Sequence, residues 1–188
     1  LVDSGKVRVL GCSNETSWGL TKSLWMADAH GLPRYETIQN NFSLNNRRFE
    51  DELAQACREE GVSLLPYSPL AGGVLSGKYN DGATPAGARF TNYLQGEERQ
   101  QQMARRFINP AAEESTKRFQ AIAADIGMSV STLAIAWSKQ HDFVASTIIG
   151  ATAPQQMDEL LAAADVTLSA ETLSRINQVS REIRYPMG

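Results

Sequence analysis

The sequence predicts an α/β fold in which short parallel strands alternate with helices. Three observations carry this reading. Strand-like and helix-like stretches follow one another along most of the chain, the strands are short and apolar, and capping residues, glycine or proline bracket the helices. Strands joined through helices pair in parallel with right-handed crossovers.

The elements read off in order. Val7-Arg8-Val9-Leu10 is a short β-branched run that stops at Gly11. Ser13-Asn14-Glu15-Thr16-Ser17 supplies helix N-cap residues, and Leu20, Leu24 and Ala27 fall at helical spacing in a helix from Trp18 to His30. Gly31 and Pro33 stop it. A second strand, Tyr35 to Gln39, leads through a polar loop to a helix from Phe49 to Glu60, closed by Gly61. Val62 to Tyr67 is a third strand, and the prolines at its end cannot lie mid-sheet.

From Ser68 to about Gly96 the regularity breaks, and a long irregular stretch within a compact domain is usually functional or disordered. Helices are then expected over Glu97–Phe107, Pro110–Ile126, Val130–Gln140 and Gln155–Ala164. A buried fourth strand spans Val144 to Gly150. Ser169 opens a last helix that runs through Ile183 and ends at Arg184-Tyr185-Pro186. The tryptophans Trp18, Trp25 and Trp137 fall in helical stretches and are expected to be packing residues. No GxGxxG follows a strand, which weakens a dinucleotide fingerprint of that type. An open doubly wound sheet and part of a (β/α) barrel remain the competing architectures.

Composition excludes several classes. The 188 residues carry a net charge of -3 with scattered Lys and Arg, so a nucleic-acid partner is disfavoured. No run approaches the roughly 18 to 20 apolar residues of a membrane span. The first residues have neither a basic start nor an apolar run, so no signal peptide is expected there. Cys12 and Cys57 form no framework or CxxC and are expected as reduced thiols, which places the protein in the cytoplasm. Two histidines, His30 and His141, make no metal site and read as structural or surface groups.

In parallel α/β folds the working residues lie at the C-terminal ends of the strands. Those ends are Gly11-Cys12-Ser13-Asn14, Gln39-Asn40-Asn41, Pro66-Tyr67-Ser68-Pro69-Leu70 and Gly150-Ala151-Thr152. All are neutral, and none is poised for proton transfer. Ser, Asn and Gln suit an amide, and a tyrosine face suits an aromatic ring. A nicotinamide presents both. The glycine-rich loop with Lys78 and Arg89 offers backbone amides and cations for phosphates. Equally, strand-end Ser and Asn are ordinary turn residues.

All four of these segments resemble the aldo-keto reductases. Val9-Leu10-Gly11-Cys12-Ser13-Asn14 is similar to that family's GxSN strand, and Ile38-Gln39-Asn40 to its next strand. Pro66-Tyr67-Ser68-Pro69-Leu70-Ala71-Gly72-Gly73 with Leu75-Ser76-Gly77-Lys78-Tyr79 resembles the branch that includes potassium-channel β subunits and bacterial ion-channel-like reductases. Ile149-Gly150-Ala151-Thr152 with Gln156 and Glu159 resembles the last strand and its adenosine-binding helix.

The resemblance implies strands 5–8, the C-terminal half of a (β/α)8 TIM barrel, with residues 1–188 as a partial barrel domain. It implies NADP as cofactor and reduction of a small aldehyde or ketone. Ser13, Asn14 and Gln39 would hold the carboxamide, and Tyr67 would stack on the nicotinamide. Ser68, Pro69, Leu70, Ala71, Gly72 and Lys78 would line the pyrophosphate. Arg89 would meet the 2′-phosphate, favouring NADP over NAD. Gly150, Thr152, Gln156 and Glu159 would hold the adenosine end. Leu160 departs from the asparagine frequent in the family. The family's acid tyrosine, with its Asp, Lys and His partners, belongs to the N-terminal half of the barrel. No catalytic residue is therefore expected in this chain, and it is expected to be inactive alone. The alternatives are a non-catalytic NADP-binding subunit of the channel-β type or an inactive half-barrel. Expected partners are the carbonyl substrate, the other half of the barrel and, through open sheet edges, a second copy.

Overall fold

The structure, a computed structural model, describes residues 1–187. Its centre is a three-stranded parallel sheet in the order β1-β2-β3, with β1 at Leu10–Ser13, β2 at Tyr35–Asn41 and β3 at Ser63–Tyr67. Among the described residues eight helices pack around it: α1 (Ser17–His30), α2 (Leu53–Glu60), α3 (Arg89–Leu94), α4 (Glu98–Phe107), α5 (Pro110–Asp125), α6 (Val130–Lys139), α7 (Gln155–Ala162) and α8 (Ala170–Glu182).

Local chemistry explains most of these boundaries. The Thr16 hydroxyl accepts the Gly19 N–H at 3.0 Å and starts α1, and Gly31 ends it in the left-handed conformation. Asn109 caps α5 through Ala112, Ser129 caps α6 through Thr132, and Ser169 caps α8 through Thr172. Glu97 and Gln100 form a reciprocal capping box on α4.

Two strands differ from the sequence expectation. β1 begins at Leu10 rather than Val7 because its only neighbour in the sheet, β2, begins opposite it at Tyr35. Val9 is left 60% exposed. The expected fourth strand, Val144 to Gly150, is an extended segment with a single bridge, Leu64 to Val144. The Leu64 N–H donates to the Phe143 carbonyl at 2.7 Å, and the Ala145 N–H returns a bond to the Leu64 carbonyl at 3.0 Å. The next rung needs an N–H from residue 66, which is proline and has none. Beyond that gap Ile148, rather than Thr147, donates to the Pro66 carbonyl at 2.9 Å. The segment has slipped by one residue.

The sheet has a dry face and an open face. Ile38, Leu64 and Pro66 are buried, whereas the alternate residues Gly11, Ser13 and Gln39 are exposed and Ser63, Leu65 and Tyr67 half-buried. Behind the dry face Phe42 stacks on Trp137 with ring centroids 4.8 Å apart, and Phe143 and His141 meet the same ring edge-on. His141 also bonds Glu50 at 3.1 Å, and Arg47 reaches Glu50, Asn177 and Ser180. Burial opposes the Glu50 charge, but hydrogen bonds from His141 and Arg47 outweigh it and hold the carboxyl below its usual range. Trp18 and Trp25 depart from their expected packing role. They lie away from the helix face that buries Leu20, Leu24 and Ala27, and Lys22 sits 4.0 Å over the Trp25 ring.

The two thiols pack as small apolar groups. Cys57 is 1% exposed, and burial with the nearby Cys12 pushes it up to about 11 from the ordinary 9.0. The unfolded chain loses this proton near pH 9 and the folded one near pH 11. Stability from Cys57 is therefore complete below pH 9 and declines as pH rises to 11. Urea midpoints measured across that window should fall less for Cys57→Ala than for the parent. Equal slopes would show that Cys57 does not contribute.

No single helix among the described residues is long and apolar enough to cross a membrane.

Candidate functional site

The ends of the three strands converge on one cluster of neutral polar groups. Ser13 lies in register with Gln39, and Asn41 with Tyr67. The Ser13 hydroxyl donates to the Gln39 carbonyl at 2.8 Å. The Tyr67 hydroxyl donates to Asn14 Oδ1 at 2.9 Å. Asn14 and Ser68 take left-handed backbone angles, with φ of 57° and 54°, so the chain turns sharply where each strand ends. Ser13, Asn14 and Gln39 keep exposed side chains, and Tyr67 is half-buried.

From Ser68 the chain leads into a cavity of ≈ 380 Å³, a size that suits a small ligand. One wall is the loop after β3, with Ser68, Pro69, Leu70, Gly72 and Lys78. Arg89, Gly150, Thr152, Gln156 and Glu159 also line it. The structure thus gathers residues separated by nearly half the chain around one space. Ser13, Asn14, Gln39 and Tyr67 belong to the strand-end cluster and do not line the cavity, and neither does Ala71. It is fully buried with φ of 50°, and its N–H donates to the Ser68 carbonyl, so it closes the turn and does not line the cavity.

The glycine loop has a defined shape. Gly72 has φ of +65°, and a Cβ there would lie 2.7 Å from the Phe90 ring. Phe90 packs on Phe107, Tyr79 and Tyr93, and its N–H donates to the Tyr79 hydroxyl at 3.2 Å. At Gly73 a Cβ would come within 2.9 Å of Lys78 Cε and Nζ, so the bare backbone lets the lysine lie against the loop. Neither Lys78 nor Arg89 has a carboxylate at ion-pair distance among the described residues. On the far wall Gln156 Oε1 accepts the Thr152 N–H at 2.8 Å, which leaves the Gln156 amide nitrogen to donate elsewhere. Leu160 is buried and lines the same space.

The sequence reading missed part of this wall. Gly73 and Ser76 sit inside the quoted loop motif but were not assigned to the site. Ser131 and Ile135 line the cavity from α6, where their four-residue spacing puts both on one helix face. Of residues 84–110, only Gly87, Ala88 and Arg89 line the cavity, because Phe90 and Phe107 anchor the rest in the aromatic cluster.

The model for the aldo/keto reductase family matches residues 1–181. The chain belongs to this family. Protein tas of Escherichia coli is 40% identical over 186 residues, covering 97% of this chain and 51% of that protein. A probable voltage-gated potassium channel subunit beta of Arabidopsis thaliana is 32% identical over 184 residues, covering 95% and 54%. An NADH-specific methylglyoxal reductase of Escherichia coli is 28% identical over 169 residues, covering 90% and 47%. The chain spans about half the length of these aldo/keto reductase relatives. The family includes oxidoreductases.

Proposed function

We propose that this chain is the cofactor-holding, C-terminal half of an NADP(H)-dependent reductase of small aldehydes and ketones. The observation that carries the reading is a cavity that begins at Ser68, next in the chain to Tyr67 of the strand-end cluster, and is lined by a bare glycine backbone and by two cations with no carboxylate at ion-pair distance among the described residues. The donor set suits a dinucleotide phosphate. Ser13, Asn14 and Gln39 match a carboxamide, Tyr67 an aromatic ring, Lys78 and the loop amides a pyrophosphate, and Arg89 an additional phosphate. Thr152, Gln156 and Glu159 would hold the nucleoside end. Bound there, the cofactor supplies a hydride for a carbonyl carbon. The protein's share is to orient the ring and exclude water.

The proton for the developing alkoxide comes from the other half of the barrel in this reading, since the strand ends here offer no acid. The open face of the sheet and the free edge of β1 would receive that half. A second reading, a non-catalytic cofactor-binding subunit, is favoured by the same neutrality of the strand ends. Turnover of NADPH with a simple aldehyde by the full-length protein supports the reductase. Tight nucleotide binding without turnover supports the subunit. Turnover by residues 1–188 alone would overturn the placement of the acid in the other half.

Titration of the full-length protein with NADPH and NADH tests the phosphate contacts. Losing a charge-assisted bond costs about 1.5–3 kcal/mol, or roughly 10- to 100-fold in affinity. Arg89→Ala should weaken NADPH by that factor and leave NADH nearly unchanged, whereas Lys78→Ala should weaken both. Equal effects of Arg89→Ala on both nucleotides would remove Arg89 from the 2′-phosphate.

A further inference from the structure

Asn14 stands in a conformation that an ordinary side chain adopts only under constraint. Its φ is 57°, in the left-handed region that asparagine enters more readily than other residues with a side chain, and its surroundings hold it there. Two acceptors hold its N–H. The Gln39 carbonyl lies at 3.1 Å, and the Asn40 side-chain oxygen lies closer, at 2.7 Å. The Asn14 side chain in turn accepts from the Tyr67 hydroxyl at 2.9 Å. A chain of contacts therefore crosses all three strand ends, from Asn40 on β2 to Asn14 after β1 and on to Tyr67 on β3.

We propose that Asn40 is the positioning residue of this site, acting through the Asn14 backbone to set both the Asn14 amide and the tilt of the Tyr67 ring. Side chains alternate along a strand, so Asn40 points to the opposite side from Gln39 and Asn41. It does not share the open face with them and acts only through its neighbour. The role needs an oxygen at the side-chain tip, because an N–H can be received only by an acceptor. Aspartate supplies that oxygen in the same shape. Leucine has the same branching and supplies none.

This inference rests on the reading of the strand ends as the nicotinamide site. The full-length protein carrying Asn40→Leu, Asn40→Ala or Asn40→Asp is titrated with NADPH and with 2′,5′-ADP, which has the phosphates and adenosine but no nicotinamide. The fluorescence of the bound nicotinamide is recorded alongside. Asn40→Leu and Asn40→Ala should bind NADPH about tenfold more weakly, as for one lost hydrogen bond, with altered nicotinamide fluorescence and unchanged 2′,5′-ADP affinity. Asn40→Asp should stay within about twofold of the parent, since the acceptor is retained. Parental NADPH affinity in both apolar variants overturns the proposal. So does equal weakening of NADPH and 2′,5′-ADP, which marks general damage, or failure of aspartate to rescue. If the parent protein binds 2′,5′-ADP but gains nothing from the nicotinamide, the underlying reading of the strand ends fails instead.

Discussion

Gly72→Val should disrupt the cavity beside the loop after β3 and lower stability by about 2–5 kcal/mol, the sum of overpacking and left-handed strain. Both terms act at one atom. The new Cβ would lie 2.7 and 2.8 Å from two carbons of the Phe90 ring, with backbone at φ of +65°. Phe90 cannot retreat freely, because it is 1% exposed and wedged among Tyr79, Tyr93 and Phe107. Displacing it would also pull on Arg89, its neighbour in sequence and a wall of the cavity. Gly82→Ala is the control. Its φ is +71° but nothing lies within 4 Å of its added Cβ, so only the strain of about 1–2 kcal/mol remains. Urea unfolding of the two variants measures the difference. Equal destabilisation would show that Phe90 yields without cost and that the glycine serves conformation alone.

The second large effect is expected at Trp137. Truncation of a buried tryptophan to alanine costs about 3–5 kcal/mol through lost contacts and the cavity left behind. Trp137 is 1% exposed and lies at the junction of α6, the loop after β2 and the His141 turn. Its ring stacks on Phe42, meets the edge of His141 at 4.5 Å and lies under the Arg47 guanidinium at 5.1 Å. Trp137→Ala should therefore lower the urea midpoint sharply, while Trp137→Phe, which preserves the stack on Phe42, should recover more than half of the loss. If both variants lose equally, the indole and its cation contact matter rather than the aromatic stack.

The sequence made legible whatever is decided locally. Thr16, Gly31, Gly61, Ser129 and Ser169 mark helix ends through bonds to residues three or four positions away, and these boundaries stand within a residue or two of the reading. The strand-end cluster was legible because its residues end their strands. What depends on distant partners was not. The start of β1 is set by where β2 begins, 25 residues later in register. The helix α3 lies inside a stretch whose glycines and prolines hide it, and it is held by Tyr79 and Phe107 rather than by its own six residues. Ala71 looked like its cavity-lining neighbours in sequence, yet its left-handed backbone turns it into the core. Asn40 was visible at a strand end, but its partner, the Asn14 backbone, could be found only by pairing the strands.

The proline at position 66 reaches further than the rung it removes. A parallel ladder fixes which residues of the incoming strand face each side, and a slip of one residue exchanges the two sides. Here the slip falls just before Ile148, Ile149 and Gly150, three consecutive residues that all line the cavity. Strict alternation along a paired strand would turn every second side chain away from it. The missing amide proton therefore frees the segment from the ladder where it enters the cavity wall. An ordinary residue at 66 would invite the segment to zip up one residue earlier and withdraw alternate residues from that wall.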